Sequence, residues 1–570
     1  MKSKYMKIYT LAILGLTLCT DSLAQSNDIP SKEAMDAVFE EFTDPEAPGI
    51  AAAVMYKGEV VYKKTFGKAN VQSGAPITDD TPFQLAEMSA QFTSYATLLL
   101  EEQGKIDLED GIRKHLPELP EIMNDIKIKH LLSHSHGLHD VRTLRWIAGW
   151  DPGDVFTQED ALSLIANQQR LDFTPGSDFT FSDTGIILLA EIIKQTTETS
   201  LNEFAQEAIF EPLGMNYTFY ITNANVLSKK QARAYTNEDE SMQIMPHTYR
   251  IEGPMNLYSS INDLMIWDKH LRDRILGGPA LHDKLSRVVE LDDGTPFNQP
   301  AGKLTYGQRF IHKERGIPEF YQTGYTAGFA SAIWKFTSQD FTVVTLTNTG
   351  ASYTGYLGNQ IAYLFLEDKF IEPASTDFTK LNGPKLKLKD LEDYTGTYWD
   401  ELGGLARTIG VVDDTLRYIR GSDNSTALIP SGKDEFQMMY PYDDKVFVNF
   451  SGEPGNRVMG YINGEADVIP LVEYEAANPT TQELIALVGT YHCKAINTSW
   501  DIGLEGDELV MSNAKSGNTI LRPIKQDLFS GERWPLRAIR VVRSDEGEID
   551  GIEINYEQIR SLIFDKISEL

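Results

Sequence analysis

Residues 83 to 93 read FQLAEMSAQFT and lead, past Ser94, into the apolar-periodic YATLLL. The pattern predicts a helix over 88–104, with Glu87 at its start. A carboxylate at that end of a helix is favoured as the anion by about 0.3–1 kcal/mol, because unpaired N–H groups point at it. Further on, HSHGLHD supplies His134, His136 and His139, and four of the ten histidines lie between 130 and 139. Asp183 opens a helical pattern over 183–197, and Gln322 lies just before the Gly-rich TGYTAGF. Glu87, His136, Asp183 and Gln322 are therefore the catalytic candidates, a set of general acid–base groups. His134, His139, Arg142, Arg145, Trp146, Phe181 and Tyr325 are the candidates for holding a substrate. Arginine forks suit carboxylate or sulfate, and indole faces stack on sugar rings.

Each residue also has a plainer reading. Glu87 and Asp183 can serve only as helix caps, and Trp146 and Trp150, at i and i+4, can be ordinary core. The histidines at i, i+2 and i+5 have a metal-like spacing. Zinc, however, needs three or four convergent ligands with supporting partners, and the loop is accounted for without them. No metal and no cofactor is expected.

These residues need a scaffold. At 570 residues the chain is too long for one core. Residues 31–43 read as an amphipathic helix, and PGIAAAVMYKGEVVYKKTFG reads as a hairpin turning at Lys57-Gly58. Helical patterns follow at 88–104, 159–167 and 183–197, and then the strands FASAIWKF and FTVVTLTN. Strands at both ends with helices between predict an α+β domain over 31–370, its sheet closed by distant parts of the chain. A linker is expected at 371–388. Beyond it, Gly396-Thr397-Tyr398 recurs as Gly489-Thr490-Tyr491, Leu416 as Leu509, and Phe436 as Phe529, always 93 residues apart. The repeat predicts two β-barrel-like modules at 389–475 and 483–570.

Composition sets further bounds. Hydrophobic residues make up 41% and charged residues 24%, as in a globular protein. A net charge of −31 argues against nucleic acid and anionic membranes as partners. Residues 1–24 read as a signal peptide, with Lys2, Lys4 and Lys7 before IYTLAILGLTL and a Ser22-Leu23-Ala24 cleavage site. A periplasmic or secreted protein without membrane insertion is expected. Cys19 invites a lipoprotein reading, but Leu18 stands where a small residue belongs. Only Cys493 remains in the mature chain, so no internal disulfide forms. The oligomeric state is left open.

From about 48 to 350 the chain resembles the serine β-lactamase-like family of class C β-lactamases, penicillin-binding proteins and D-aminopeptidases. The resemblance rests on PGIAAAVMYKGEVVYKKTFG, FQLAEMSAQFT, IKIKHLLSHSHGL, FTFSDTGIILLAEII, AIFEPLGMNYT, LYSSINDLMIW and FYQTGYTAGFASAIW, in that order. It implies a β-lactamase/transpeptidase-like antiparallel sheet with helices, and two trailing barrels fit the D-aminopeptidase type. It also implies S-x-x-K, Y-x-N and H-x-G motifs for acyl transfer, and a structural role for His134. At those places the chain has Glu87 and Ala90, Phe181-Ser182-Asp183, and Gln322-Thr323-Gly324. Loss of such a nucleophile alone costs about a millionfold in rate. Ser89, about 200° round the helix from Glu87, cannot replace it.

An exported member without its serine also resembles the oligosaccharide dehydratases of ulvan degradation in marine flavobacteria. That resemblance implies a carbon–oxygen lyase acting on acidic oligosaccharides, eliminating water from a terminal uronic acid. Two alternatives stand beside it. One is a catalytically silent binding protein for peptidoglycan fragments or sugars. The other is a hydrolase with another nucleophile, such as Ser89, Ser135 or Ser182.

Overall fold

The computed structural model describes residues 29–151, 153–221, 231–236, 242–326, 328–350, 354–372, 376–381, 383–421, 424–440 and 445–568. The expected signal peptide lies outside the described residues. The elements that place the site are the strands β1 (Ile50–Tyr56) and β2 (Glu59–Phe66) and the helices α1 (Ala90–Glu102), α2 (Val141–Ile147) and α3 (Asp183–Thr197). They are followed by β3 (Lys303–Leu304), β4 (Phe310–Glu314), β5 (Ile317–Thr326), β6 (Phe329–Phe336), β7 (Phe341–Thr347) and α4 (Thr354–Leu366). One seven-stranded sheet has the order β3-β4-β5-β6-β7-β1-β2, antiparallel throughout.

β1 is buried along its whole length because both faces of the sheet are covered. Its period of two splits it between two cores. Ile50, Ala52 and Val54 join Met35, Phe39, Trp334, Phe341 and Phe365 on one face. Ala51, Ala53 and Met55 join the larger core under α1 and α3 on the other. α1 is buried from Ala90 through Leu100 and α3 from Asp183 through Ile193, so both run through the interior. The expected helix over 31–43 is broken into Lys32–Ala37 and a 3₁₀ turn at Glu40–Phe42.

The repeat forms two closed eight-stranded barrels, with strands from Gly396 to Tyr474 and from Gly489 to Ser568. The duplication extends to hydrogen bonds: the Tyr398 hydroxyl donates to Tyr394 O at 3.1 Å, and the Tyr491 hydroxyl to Leu487 O at 2.7 Å. Their packing differs. The first barrel keeps its own core around Tyr398, Phe436 and Phe450. The second shares one continuous core with the α+β domain through Tyr491, Trp500 and Met511. Trp500 Nε1 donates to Ile147 O, at the end of α2, at 2.9 Å.

Candidate functional site

Glu87 sits in a 3₁₀ turn, Ala86–Ser89, that feeds α1. The turn is held in a costly shape, with Ala86 at φ +49°, a region non-glycine residues rarely enter. Flanking bonds hold it there. Leu85 N donates to Leu257 O at 2.8 Å, and Ser331 Oγ donates to Leu85 O at 2.7 Å. β5 passes so close that a Cβ on Gly324 would fall 2.2 Å from Leu85 O and 2.9 Å from Glu87 N. Glycine is required there by close approach.

This turn brings the carboxylates together. Glu87 Oε1 accepts from Arg142 Nη1 at 2.7 Å, and Oε2 accepts from Tyr325 N at 2.8 Å. The same Arg142 nitrogen reaches Asp183 Oδ2 at 3.5 Å. Gln322 Nε2 donates to Glu87 O at 3.1 Å, while Gln91 Nε2 donates to Gln322 Oε1 at 2.9 Å. Asp183 starts α3, its N–H donating to Asp140 Oδ2 at 3.0 Å, and Asp140 in turn caps α2 through Thr143 N at 2.9 Å. Burial pushes the Asp183 carboxyl up. Arg142 opposes this, Asp140 and Glu87 reinforce it, and the result is about 7. Burial works against the Arg142 charge, but Asp183 and Glu87 outweigh it and hold the guanidinium above its ordinary value. One arginine thus serves two carboxylates.

The histidines are elsewhere. His134, His136 and His139 are each only 1% exposed, behind the site and not in its mouth. His134 Nε2 bonds to Gln308 Oε1 at 2.8 Å and Nδ1 accepts from Ser182 N at 3.1 Å, while its ring stacks on Phe181 at 4.5 Å. His139 Nδ1 lies 2.8 Å from Asp172 Oδ1. His136 Nδ1 accepts from Leu138 N at 2.9 Å, and its Nε2 faces Gly185 of α3, where an added Cβ would lie 3.0 Å away. The three imidazoles are buried, bond to different partners and do not converge, and His136 Nε2 is buried without a partner among the described residues, so the expected roles of His136 in catalysis and of His134 and His139 in substrate binding are corrected here.

Burial, helped by neighbouring His134 and His130, lowers His136 to about 3. An imidazole with a lowered folded value is protonated in the unfolded chain first, so stability is lost as pH falls below about 6.5. His136→Ser should therefore gain on the wild type by about 2–3 kcal/mol as pH falls from about 7 to about 4.5. Urea unfolding at the two pH values measures it, and parallel losses in both proteins would refute it.

The serines considered as other nucleophiles are also committed. Ser89 is buried and donates to Ala86 O at 2.6 Å. Ser135 is buried against Ser133 Oγ at 2.7 Å, and Ser182 is buried as the cap of α3.

Beside Arg142 lies a cavity of about 450 Å³ lined by Arg145, Trp146, Trp150, Tyr249, Thr326 and Trp534 among others. Arg145 is used structurally: Nη2 donates to Asp151 O at 3.0 Å and Asp154 O at 2.9 Å, and its guanidinium lies over the Phe156 and Tyr249 rings. Trp146 faces Trp534 of the second barrel edge-on at 5.9 Å. Tyr325 contributes its backbone N–H, while its side chain stands 52% exposed at the mouth. Another hairpin of that barrel reaches in: Gln558 Nε2 donates to Phe181 O at 3.1 Å, and Asp140 N donates to Gln558 O at 3.0 Å. Trp534, Tyr249 and Gln558 were not among the expected site residues, and no local signal marks them, because each belongs to a distant segment. Asp140 had a signal, standing directly before a helical pattern as a cap.

A family model described as Beta-lactamase matches residues 35–362. The chain belongs to the β-lactamase family. Penicillin-binding protein 4* of Bacillus subtilis (strain 168) is 34% identical over 306 residues, covering 51% of this chain and 66% of that protein. A D-aminopeptidase of Brucella anthropi is 27% identical over 273 residues, covering 46% of this chain and 51% of that protein. The chain thus spans about half to two thirds of the curated relatives it matches. The octameric penicillin-binding protein homologue from Pyrococcus abyssi shares the fold, with a TM-score of 0.54 and 21% identity over 77% of this chain and 99% of that one. These β-lactamase-family relatives are serine hydrolases, not lyases. The expected water-eliminating carbon–oxygen lyase is therefore overturned, and these relatives lend the ulvan-type resemblance no support.

Proposed function

We propose that this β-lactamase-family chain is a non-acylating, exported binding protein whose cleft receives an amine-bearing small molecule, such as the free N-terminus of a D-amino-acid peptide. One observation carries the reading: the carboxylate of Glu87 takes both the Tyr325 N–H and Arg142. By the resemblance, Glu87 and Ala90 stand where a serine and a lysine would be, so acyl transfer has neither nucleophile nor base. The relatives named D-aminopeptidases and penicillin-binding protein support the ligand class.

Charge supports it too. Glu87 and Asp183 share a single guanidinium, so a ligand carboxylate would have to displace a carboxylate already in place, while an ammonium would restore the balance. The expected acidic oligosaccharide is therefore disfavoured. Trp150 and Trp534 supply faces for a cation, worth about 0.5–2 kcal/mol each, while the Trp146 ring already carries the Arg533 guanidinium.

Calorimetric titration tests the proposal with D-residue dipeptides, their N-acetylated forms and uronic-acid oligosaccharides, alongside a fluorescent penicillin. Free-amine peptides should bind saturably, acetylation should weaken them about tenfold or more, and the penicillin should leave no covalent label. Labelling, or preferential binding of uronates, would overturn it.

A second reading has its own observation. Asp183 at about 7 beside the Glu87 carboxylate is an acid–base pair able to activate water without an acyl-enzyme. Release of free D-amino acid from the same peptides, lost in Asp183→Asn and without covalent labelling, would favour it over pure binding.

A further inference from the structure

The far edge of the sheet carries a second cluster. His312 and Glu314 are two residues apart on β4, and Glu319 stands directly opposite His312 on β5. Residues two apart on a strand share a face, and directly paired residues share it as well. One ligand atom from each of the three side chains lies within 4.8 Å of the others. His312 Nδ1 is 3.6 Å from Glu319 Oε1, near the roughly 3.4 Å that separates ligands of a tetrahedral zinc at about 2.1 Å.

The independent observation is Glu319 itself. It is 1% exposed, and neither carboxylate oxygen has a hydrogen-bond partner among the described residues. A buried carboxylate without hydrogen bonds is costly and calls for a counter-charge. His312, only partly buried, stands 3.6 Å from Oε1, a long ion-pair contact and not a normal hydrogen bond. Glu314 is oriented from the other side: the Tyr363 hydroxyl donates to Oε1 at 2.7 Å and Asn359 Nδ2 to Oε2 at 3.3 Å, both from α4. Such partners orient a metal-binding carboxylate and leave lone pairs for a cation. His312 and Glu314 also line a crevice of about 440 Å³ between the sheet and the first barrel, which gives a cation a way in.

We propose that His312, Glu314 and Glu319 form a binding site for a divalent first-row cation, with one coordination position open to the crevice. One imidazole and two carboxylates suit zinc or manganese. The site lies apart from the Glu87 cluster and does not depend on its function.

The test uses the full mature chain, free of affinity tags and stripped with a chelator. It is titrated with zinc chloride by calorimetry and by competition against a chromophoric chelator. A single saturable equivalent is expected, together with a zinc-dependent rise in melting temperature. Glu319→Gln and His312→Ala should each weaken binding about tenfold or more and abolish that rise. His312→Ala changes only a partly exposed group, so it keeps the test decisive where Glu319→Gln perturbs folding. Absence of a saturable equivalent, or undiminished affinity in either variant, would overturn the site. Glu319→Gln that is more stable than the wild type and binds zinc equally would do so too, showing a buried neutral acid instead.

Discussion

Replacing Arg142 with methionine should destabilise the protein by about 2–4 kcal/mol at pH 8 and by clearly less at pH 5. The side chain of Arg142 is 39% exposed, so solvent screens part of its charge, but that of Asp183 is only 7% exposed and that of Glu87 21%. Without the guanidinium, two carboxylates face each other with one of them desolvated. Asp183 already sits at about 7 in the folded protein, above its ordinary 3.8, and Arg142 is the main influence holding it down. An acid with a raised folded value is most at ease below its unfolded value, and stability is lost as pH rises through the folded one. The gap between wild type and variant must therefore widen from pH 5 to pH 8. Arg142→Lys should recover part of it as a point charge without the fork. Urea unfolding across that range measures the effect, and a gap independent of pH would show that the two carboxylates do not depend on this arginine.

Trp500→Ala should cost about 3–5 kcal/mol and also disable the cleft. Trp500 belongs to the second barrel, yet it is 1% exposed inside the shared core and donates to Ile147 O. Ile147 ends the helix whose first turn presents Arg142. Truncation opens a cavity and strips the last turn of that helix of a donor, so the arginine loses its fixed position. Trp500→Phe keeps most of the buried area and should lose about 1 kcal/mol. Thermal unfolding and ligand titration on both variants test this. If Trp500→Ala melted the barrel in a separate transition and left binding unchanged, the barrel would be an appendage and not a wall of the site.

The chain determined by itself what depends on period and order. The unbroken apolar run IAAAVMY dictates a strand buried on two faces, and the residues from Asp183 to Thr197 form the helix their spacing predicts. The 93-residue repeat becomes two closed barrels, and the ordered motifs identify the family fold. Glu87, Asp183, Arg142 and Gln322, widely separated in sequence, do meet. Only the tertiary structure decided who pairs with whom. HSHGLHD reads as chemistry because its histidines cluster, yet α3 closes over it and the rings turn to separate partners, two of them from distant segments. Arg142 reads as a ligand fork, yet the protein's own carboxylates take it. Trp534 and Gln558 enter from 392 and 416 residues beyond Arg142. Periodicity reports which face of an element is buried, because that depends on the element alone. It does not report what covers that face, because that depends on how the whole chain packs.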